Sequence, residues 1–157
     1  MNESALQKLK FNDDWTSHNV QHWQSALKHL IGKNHVRALE IGTWEGRSTA
    51  WFLREILTGQ SARLTTIDRD HARFRHNQTI LQDVFAGRLT AIQAEAFEWM
   101  LPYTGEKFHF IYRDGPKDAG DLIDQAVMCW RLLEPGGILI FDDYMWPGTT
   151  DRGYPAP

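Results

Sequence analysis

One cysteine in the whole chain, Cys129, excludes an internal disulfide and fits a reducing compartment. It stands in an apolar helical pattern, where a thiol serves as an inert core group. No apolar run approaches the roughly 20 residues that span a bilayer, and the sequence is expected to carry no signal peptide before the fold. The expectation is a cytoplasmic protein with no membrane partner. An excess of positive charge is also missing: net charge is −3, so the chain carries no nucleic-acid footprint. The one short basic run, Arg69, Arg73 and Arg75, reads as the solvated start of a helix. Internal repeats, low-complexity stretches and domain linkers are absent as well. What remains is 157 residues with an ordinary apolar share of 42%, enough for a single domain over residues 1–157 with a sizeable core.

The repeating unit is strand, turn, helix. Apolar or β-branched runs at Arg37–Ile41, Arg63–Asp68, Leu89–Ala94, Phe108–Arg113 and Ile138–Phe141 predict five strands. Helical patterns at Arg47–Leu57, Asp70–Phe85, Glu95–Leu101 and Ala119–Leu133 lie between them, with a further helix at about Ser17–Ile31. In the last inter-strand helix, Leu122, Ile123, Ala126, Val127, Trp130 and Leu133 fall at core spacing. Pro135-Gly136-Gly137 reads as a turn, and the tail 147–157 as irregular. This alternation implies an α/β fold, a Rossmann-like doubly wound parallel sheet in three layers, with its core over about 37–146. Such sheets bind ligands at the carboxyl ends of their strands.

The most informative of those ends is Glu40-Ile41-Gly42-Thr43-Trp44-Glu45-Gly46, which joins the first core strand to a helix. A dinucleotide fingerprint needs glycines where this chain has Trp44 and Arg47, and an indole there obstructs a pyrophosphate. The turn suits a nucleoside ligand without phosphates, S-adenosylmethionine being the leading candidate. Glu40 can organise the loop or meet the ligand's ammonium. Gly42, Thr43, Trp44 and Gly46 form the loop. Ser48 and Thr49 open a helix whose N-terminus favours a carboxylate. Asp68 ends the second strand, 22 residues after Gly46, where an acid can accept from both ribose hydroxyls. Glu95, after the third strand, can accept from an adenine amino group or act as the first-turn acid of its helix.

A second constellation is acidic. Asp114 ends the fourth strand, and Asp142 and Asp143 end the fifth. Three carboxylates on neighbouring strand ends repel one another, and a divalent cation such as Mg²⁺ resolves that repulsion; the alternative is a solvated acidic rim. Such a cation lowers the pKa of a bound hydroxyl. Lys117, three residues after Asp114, can then act as general base. His18 and His22 have metal-ligand spacing, but HNVQH lacks the glutamate of a metalloprotease signature. His109 falls within a strand and is expected to be packed. Trp23, Trp51, Trp99 and Trp130 fall at apolar-periodic positions and are expected in the core. Trp44 is expected to line a cofactor pocket and Trp146 a substrate pocket.

On these residues the chain resembles the class I S-adenosylmethionine-dependent methyltransferases, over roughly Arg37 to Trp146. LEIGTWEGRST matches the cofactor loop, LTTID the ribose acid, and LLEPGGILIFDDYMW the fifth-strand region. The chain looks like the branch of small methyltransferases that includes sugar and macrolide O-methyltransferases. The resemblance implies methyl transfer to a hydroxyl oxygen of a small molecule, with Asp114, Asp142 and Asp143 at the positions that hold Mg²⁺ in metal-dependent relatives. It also places Asp114 in both cofactor binding and catalysis, and Lys117 where catechol-type enzymes carry a lysine. Two residues depart from the pattern. Lys117 stands where many relatives have histidine, and Arg113 replaces an apolar residue, where it can neutralise the acids and compete with a metal.

The full family fold carries two more strands after the fifth. The expectation is therefore a C-terminally shortened methyltransferase fold whose fifth strand has an open edge. A partner chain or a second copy is expected to cover that edge. The alternative to an enzyme is a non-catalytic module that acts through it.

Overall fold

The computed structural model describes residues 3–115 and 119–142. Lys117, Asp143, Trp146 and the tail 147–157 lie outside the described residues. Five strands, β1 (Arg37–Ile41), β2 (Arg63–Asp68), β3 (Leu89–Gln93), β4 (Phe108–Arg113) and β5 (Leu133–Phe141), form one sheet. Their order is β3-β2-β1-β4-β5, and every neighbouring pair is parallel. The chain steps outward from β1 to β3 and then returns to add β4 on the other side of β1. The switch point of this doubly wound sheet thus lies between β1 and β4.

The helices are α1 (Glu3–Leu6), α2 (Val20–Leu27), α3 (Arg47–Trp51), α4 (Arg75–Val84), α5 (Ala96–Met100) and α6 (Ala119–Leu132). They form two outer layers. Trp23 and Leu27 of α2, Phe52 and Leu53 after α3, and Leu81 of α4 pack with Ala38, Leu64 and Phe110 on one sheet face. Met100 of α5 and Cys129 and Leu132 of α6 pack with Leu39, Ile41 and Ile111 on the other. Successive residues of β1 feed opposite clusters because side chains alternate along a strand, and a central parallel strand buries both faces. The rings of Trp23, Phe52, Phe110 and Tyr112 lie at centroid separations of 4.9–5.3 Å, the spacing of favourable tilted aromatic contacts.

The helix expected over Arg47–Leu57 is α-helical to Trp51 and continues as a π-helical turn, Phe52–Ile56. Three element starts differ by more than one residue from the sequence pattern, each for a local reason. The helix expected from Ser17 starts at Val20 and ends in a 3₁₀ turn, Lys28–Leu30. Asp14 accepts from the amides of Thr16 and Ser17 and from the Ser17 hydroxyl, which holds this stretch as a turn. The helix expected from Asp70 starts at Arg75, since Asp70 accepts from the amide of Ala72 in the same manner. In β5 the strand begins at Leu133 and takes in Pro135-Gly136-Gly137, which bulges out between the Phe108 and Phe110 pairings.

The largest correction concerns α6. Its buried side chains are Gln125, Cys129 and Leu132, whereas Ile123, Val127 and Trp130 are exposed, Trp130 at 74%. The apolar residues of this helix form two stripes, and only one faces the sheet. Of the four tryptophans expected in the core, Trp23 is buried, Trp51 and Trp99 are half-buried against it, and Trp130 is outside it. β5 is the outermost strand on its side of the described sheet.

Candidate active site

The switch point brings backbone against backbone. The Asp114 amide donates to the Ile41 carbonyl at 2.7 Å, and the Gly42 amide to the Ile67 carbonyl at 2.9 Å. Gly42 has φ +89°, and a Cβ there would stand 1.9 Å from the Asp114 carbonyl oxygen. Only glycine permits that approach. Gly46 (φ +79°) starts α3, and a Cβ on it would meet the Phe74 ring at 2.3 Å. Trp44 also has positive φ, at 50°, a costly conformation for a bulky residue. Asp68 holds it: one carboxylate oxygen accepts from the amides of Thr43 at 2.8 Å and Trp44 at 3.1 Å. The indole Nε1 donates to Asp13, and the Arg73 guanidinium lies 4.3 Å from the indole ring.

Beneath the loop, register aligns three polar side chains in one row: Thr66, Glu40 and Tyr112. Glu40 is fully buried. Its two oxygens accept from Ser48 Oγ at 2.6 Å and Thr49 Oγ1 at 2.5 Å. Thr43 and Thr66 share a hydroxyl contact at 2.6 Å. Desolvation outweighs these donors and pushes the Glu40 carboxyl up to about 7. Of the two roles considered for Glu40, its geometry is that of a loop organiser, and the Ser48 hydroxyl is committed to it.

On the far side of Gly42, Tyr112 joins the acids. Its hydroxyl donates to Asp142 in a short hydrogen bond and lies 3.5 Å from Asp114 Oδ2. Burial, reinforced by Asp114 and Asp142, pushes the phenol far above its ordinary range, so it remains a donor. Asn19 Nδ2 reaches both Asp142 oxygens at 3.1 Å. Arg113 turns to the opposite sheet face, where its Nε donates to Gln125 at 2.9 Å. Alternation in β4 thus separates the guanidinium from the phenol beside the acids. Among the described residues, no group of three His, Cys, Asp or Glu side chains gathers to hold a metal ion. His18 precedes α2 and His22 lies within it, so the two do not share a helix.

Two cavities open over these strand ends. One, of about 480 Å³, is lined by Gly42, Thr43, Ser48, Tyr112, Asp114 and Asp142, and on the side of the N-terminal segment by Asp13, Trp15, Thr16 and His18. The other, of about 380 Å³, runs from Gly42 past Asp68 and Arg73 to Glu95. Gly42, Trp44, Asp68 and Asp114 border both. Glu95 is exposed and opens α5 without a capping hydrogen bond from its side chain. Gly42, Thr43, Trp44, Ser48, Asp68, Glu95 and Asp114 thus line one or both of the adjoining cavities, whereas Gly46 and the buried Glu40 line neither. The wall from the N-terminal segment, and the Tyr112 link between the acids, were missed. The segment before α2 has no periodic pattern, and Tyr112 reads as one more apolar strand residue.

A glycine turn at a switch point, with an acid under it and carboxylates on adjoining strands, defines a doubly wound α/β domain with a crevice at its strand ends. The model of the methyltransferase-domain family matches residues 39–144, and the chain belongs to that family. Its fold is the Rossmann-like class I methyltransferase fold. It is similar to the Bacillus cereus O-methyltransferase in complex with SAH (21% identity, TM-score 0.63, covering 88% of this chain and 64% of that one). It is similar to TomG, the Streptomyces achromogenes O-methyltransferase of tomaymycin synthesis in complex with SAM (21%, TM-score 0.71, 97% and 68%). A third likeness is to the SAH-bound Podospora anserina methyltransferase (22%, TM-score 0.67, 99% and 65%). The chain thus spans about two thirds of the length of these proteins. No curated protein matches it.

Proposed function

We propose that this chain binds S-adenosylmethionine and transfers its methyl group to a hydroxyl oxygen of a small molecule. The observation that carries the reading is the paired crevice around Gly42, with an acid-lined cavity on one side and the Asp68–Glu95 cavity on the other. The O-methyltransferases of similar fold hold SAM or SAH. In this reading the Gly42–Gly46 loop and the start of α3 hold the amino-acid part of the ligand. Asp68 accepts from the ribose, and Glu95 from the adenine. Asp114 borders both cavities, beside the site of transfer.

The reading includes a divalent cation. Asp114 and Asp142, with Asp143 outside the described residues, supply hard oxygen donors suited to Mg²⁺. The convergence of Asp114 and Asp142 on one phenol supports this donor set. A cation held there would lower the pKa of an acceptor hydroxyl. Lys117 is assigned as the base that takes its proton, and Tyr112 and Asn19 orient Asp142. A cytoplasmic setting is part of the proposal, supported by the single buried thiol of Cys129, which burial pushes up to about 12. Among the described residues no helix is long and apolar enough to cross a membrane.

Calorimetric titration with S-adenosylmethionine, with and without Mg²⁺, tests the reading. Saturable binding that changes with Mg²⁺ supports it. A folded sample that binds under neither condition overturns it. Asp142→Ala should remove the Mg²⁺ effect and leave cofactor affinity within about twofold; an undiminished Mg²⁺ effect removes Asp142 from the metal site.

A second reading is favoured by the exposed stripe Ile123–Val127–Trp130 on α6, next in sequence to the outermost strand β5. It is a module that pairs through this face with a second copy or a partner chain. Mass measurement in solution separates the two: a well-behaved monomer that binds cofactor argues against the pairing module.

A further inference from the structure

Glu45 lies inside the glycine loop and borders the larger cavity, with its carboxylate turned to the N-terminal segment. It is buried, and three donors from the N-terminal segment converge on it. The Asn12 amide donates to Oε2 at 2.7 Å, the Asp13 amide to the same oxygen at 3.3 Å, and Asn12 Nδ2 to Oε1 at 2.6 Å. Desolvation raises its pKa, but the donations from Asn12 and Asp13 prevail and hold it below the ordinary carboxylate range. The buried Asn77 of α4 completes the fastening. Its Nδ2 donates to the carbonyls of Lys10 and Glu45 at 2.6 and 2.8 Å, and its Oδ1 accepts from the Lys10 amide at 2.9 Å. Arg47 adds a hydrogen bond to the Asp13 carbonyl at 3.0 Å. Residues 10–13 have no strand partner, so these side chains take the place of a backbone ladder. Immediately beyond the fastened stretch, Trp15, Thr16 and His18 line the larger cavity.

We infer that Glu45 is a positioning residue: it latches residues 12–18 as one wall of the larger cavity, and the latch is coupled to cofactor binding. One short stretch carries Thr43, Glu45 and Ser48, all bordering the larger cavity, so releasing the segment that Glu45 holds would also disturb the site. Linkage makes the coupling reciprocal: a ligand that prefers the closed wall tightens the latch, and loss of the latch weakens the ligand.

The inference rests on the cofactor reading, and S-adenosylhomocysteine serves as the probe. Asn12 is exposed, so Asn12→Asp leaves the core alone but sets a carboxylate against Glu45 across the 2.6 Å contact. Glu45→Gln keeps one oxygen for the two backbone amides and puts an NH₂ where Oε1 stands. In the double variant that NH₂ donates to the carboxylate introduced by Asn12→Asp, and the latch is rebuilt with exchanged polarity. Asn12→Asp should weaken S-adenosylhomocysteine binding about tenfold, speed hydrogen exchange at the amides of Asn12 and Asp13, and leave the melting temperature nearly unchanged. The double variant should restore affinity and slow exchange. Adding the probe to the wild-type protein should slow exchange across residues 10–18. Wild-type affinity in Asn12→Asp, or a loss that the double variant does not restore, overturns the latch. A folded wild-type protein that does not bind the probe overturns the cofactor reading instead, and the coupling with it.

Discussion

Gly42 and Asp114 meet backbone to backbone: a Cβ on Gly42 would lie 1.9 Å from the Asp114 carbonyl oxygen. This contact lies where β1 and β4 end side by side at the switch point. Gly42→Ala should cost about 3 kcal/mol, from left-handed strain and an obstructing backbone atom. Cofactor affinity should fall together with the melting temperature. A variant as stable as the parent would show that the backbone there can yield.

Glu40 makes stability depend on pH. Its carboxyl is raised to about 7 by burial, from an ordinary 4.5. In the interval between those values the folded chain holds a proton that the unfolded chain has released. The contribution is therefore fully present below about 4.5 and is lost as pH rises through 7. Its size is on the order of 3 kcal/mol. Glu40→Gln has no proton to lose. Urea unfolding of both proteins between pH 4.5 and 8 should show the parent losing stability relative to the variant; parallel curves would remove Glu40 as the cause.

Asp68 serves the loop before any ligand arrives, through the amides of Thr43 and Trp44. Asp68→Ala strips a charged acceptor from both amides and from the assigned ribose contact. Affinity for S-adenosylmethionine should fall about 10- to 100-fold. Asp68→Asn retains an acceptor oxygen and should lose less. Equal losses in the two variants would mean that charge, not hydrogen bonding, is what the loop requires.

Two tryptophans with similar sequence surroundings should respond in opposite ways. Trp23 is buried among Phe52, Tyr112 and Trp51, and Trp23→Ala should cost about 3–5 kcal/mol. Trp130 is 74% exposed, and Trp130→Ala should shift stability by no more than about 0.5 kcal/mol in a monomer. Thermal melts at several protein concentrations check both. A large, concentration-dependent loss in Trp130→Ala would show that this face is covered in solution.

The strands were legible because short, β-branched or apolar runs end at Gly or Asp. Three of them, Arg37–Ile41, Arg63–Asp68 and Phe108–Arg113, have in the structure the bounds their pattern suggests. Helix starts were less legible where an aspartate captures nearby amides, as Asp14 and Asp70 do, since one side-chain hydrogen bond there competes with a helical turn. Gly42, Asp68 and Asp114 could be read as one crevice because strand ends in a parallel sheet share an edge.

Sequence alone determined the strand–helix alternation, the glycine turn and the acids at the strand ends, all properties of local spacing and residue chemistry. Tertiary structure decided which stripe of α6 is buried, that Arg113 faces away from the phenol beside the acids, and that Glu45 fastens a segment 32 residues before it. The physical reason is the same in each case. Periodicity tells which residues share a face, but the identity of what lies against that face depends on elements distant along the chain.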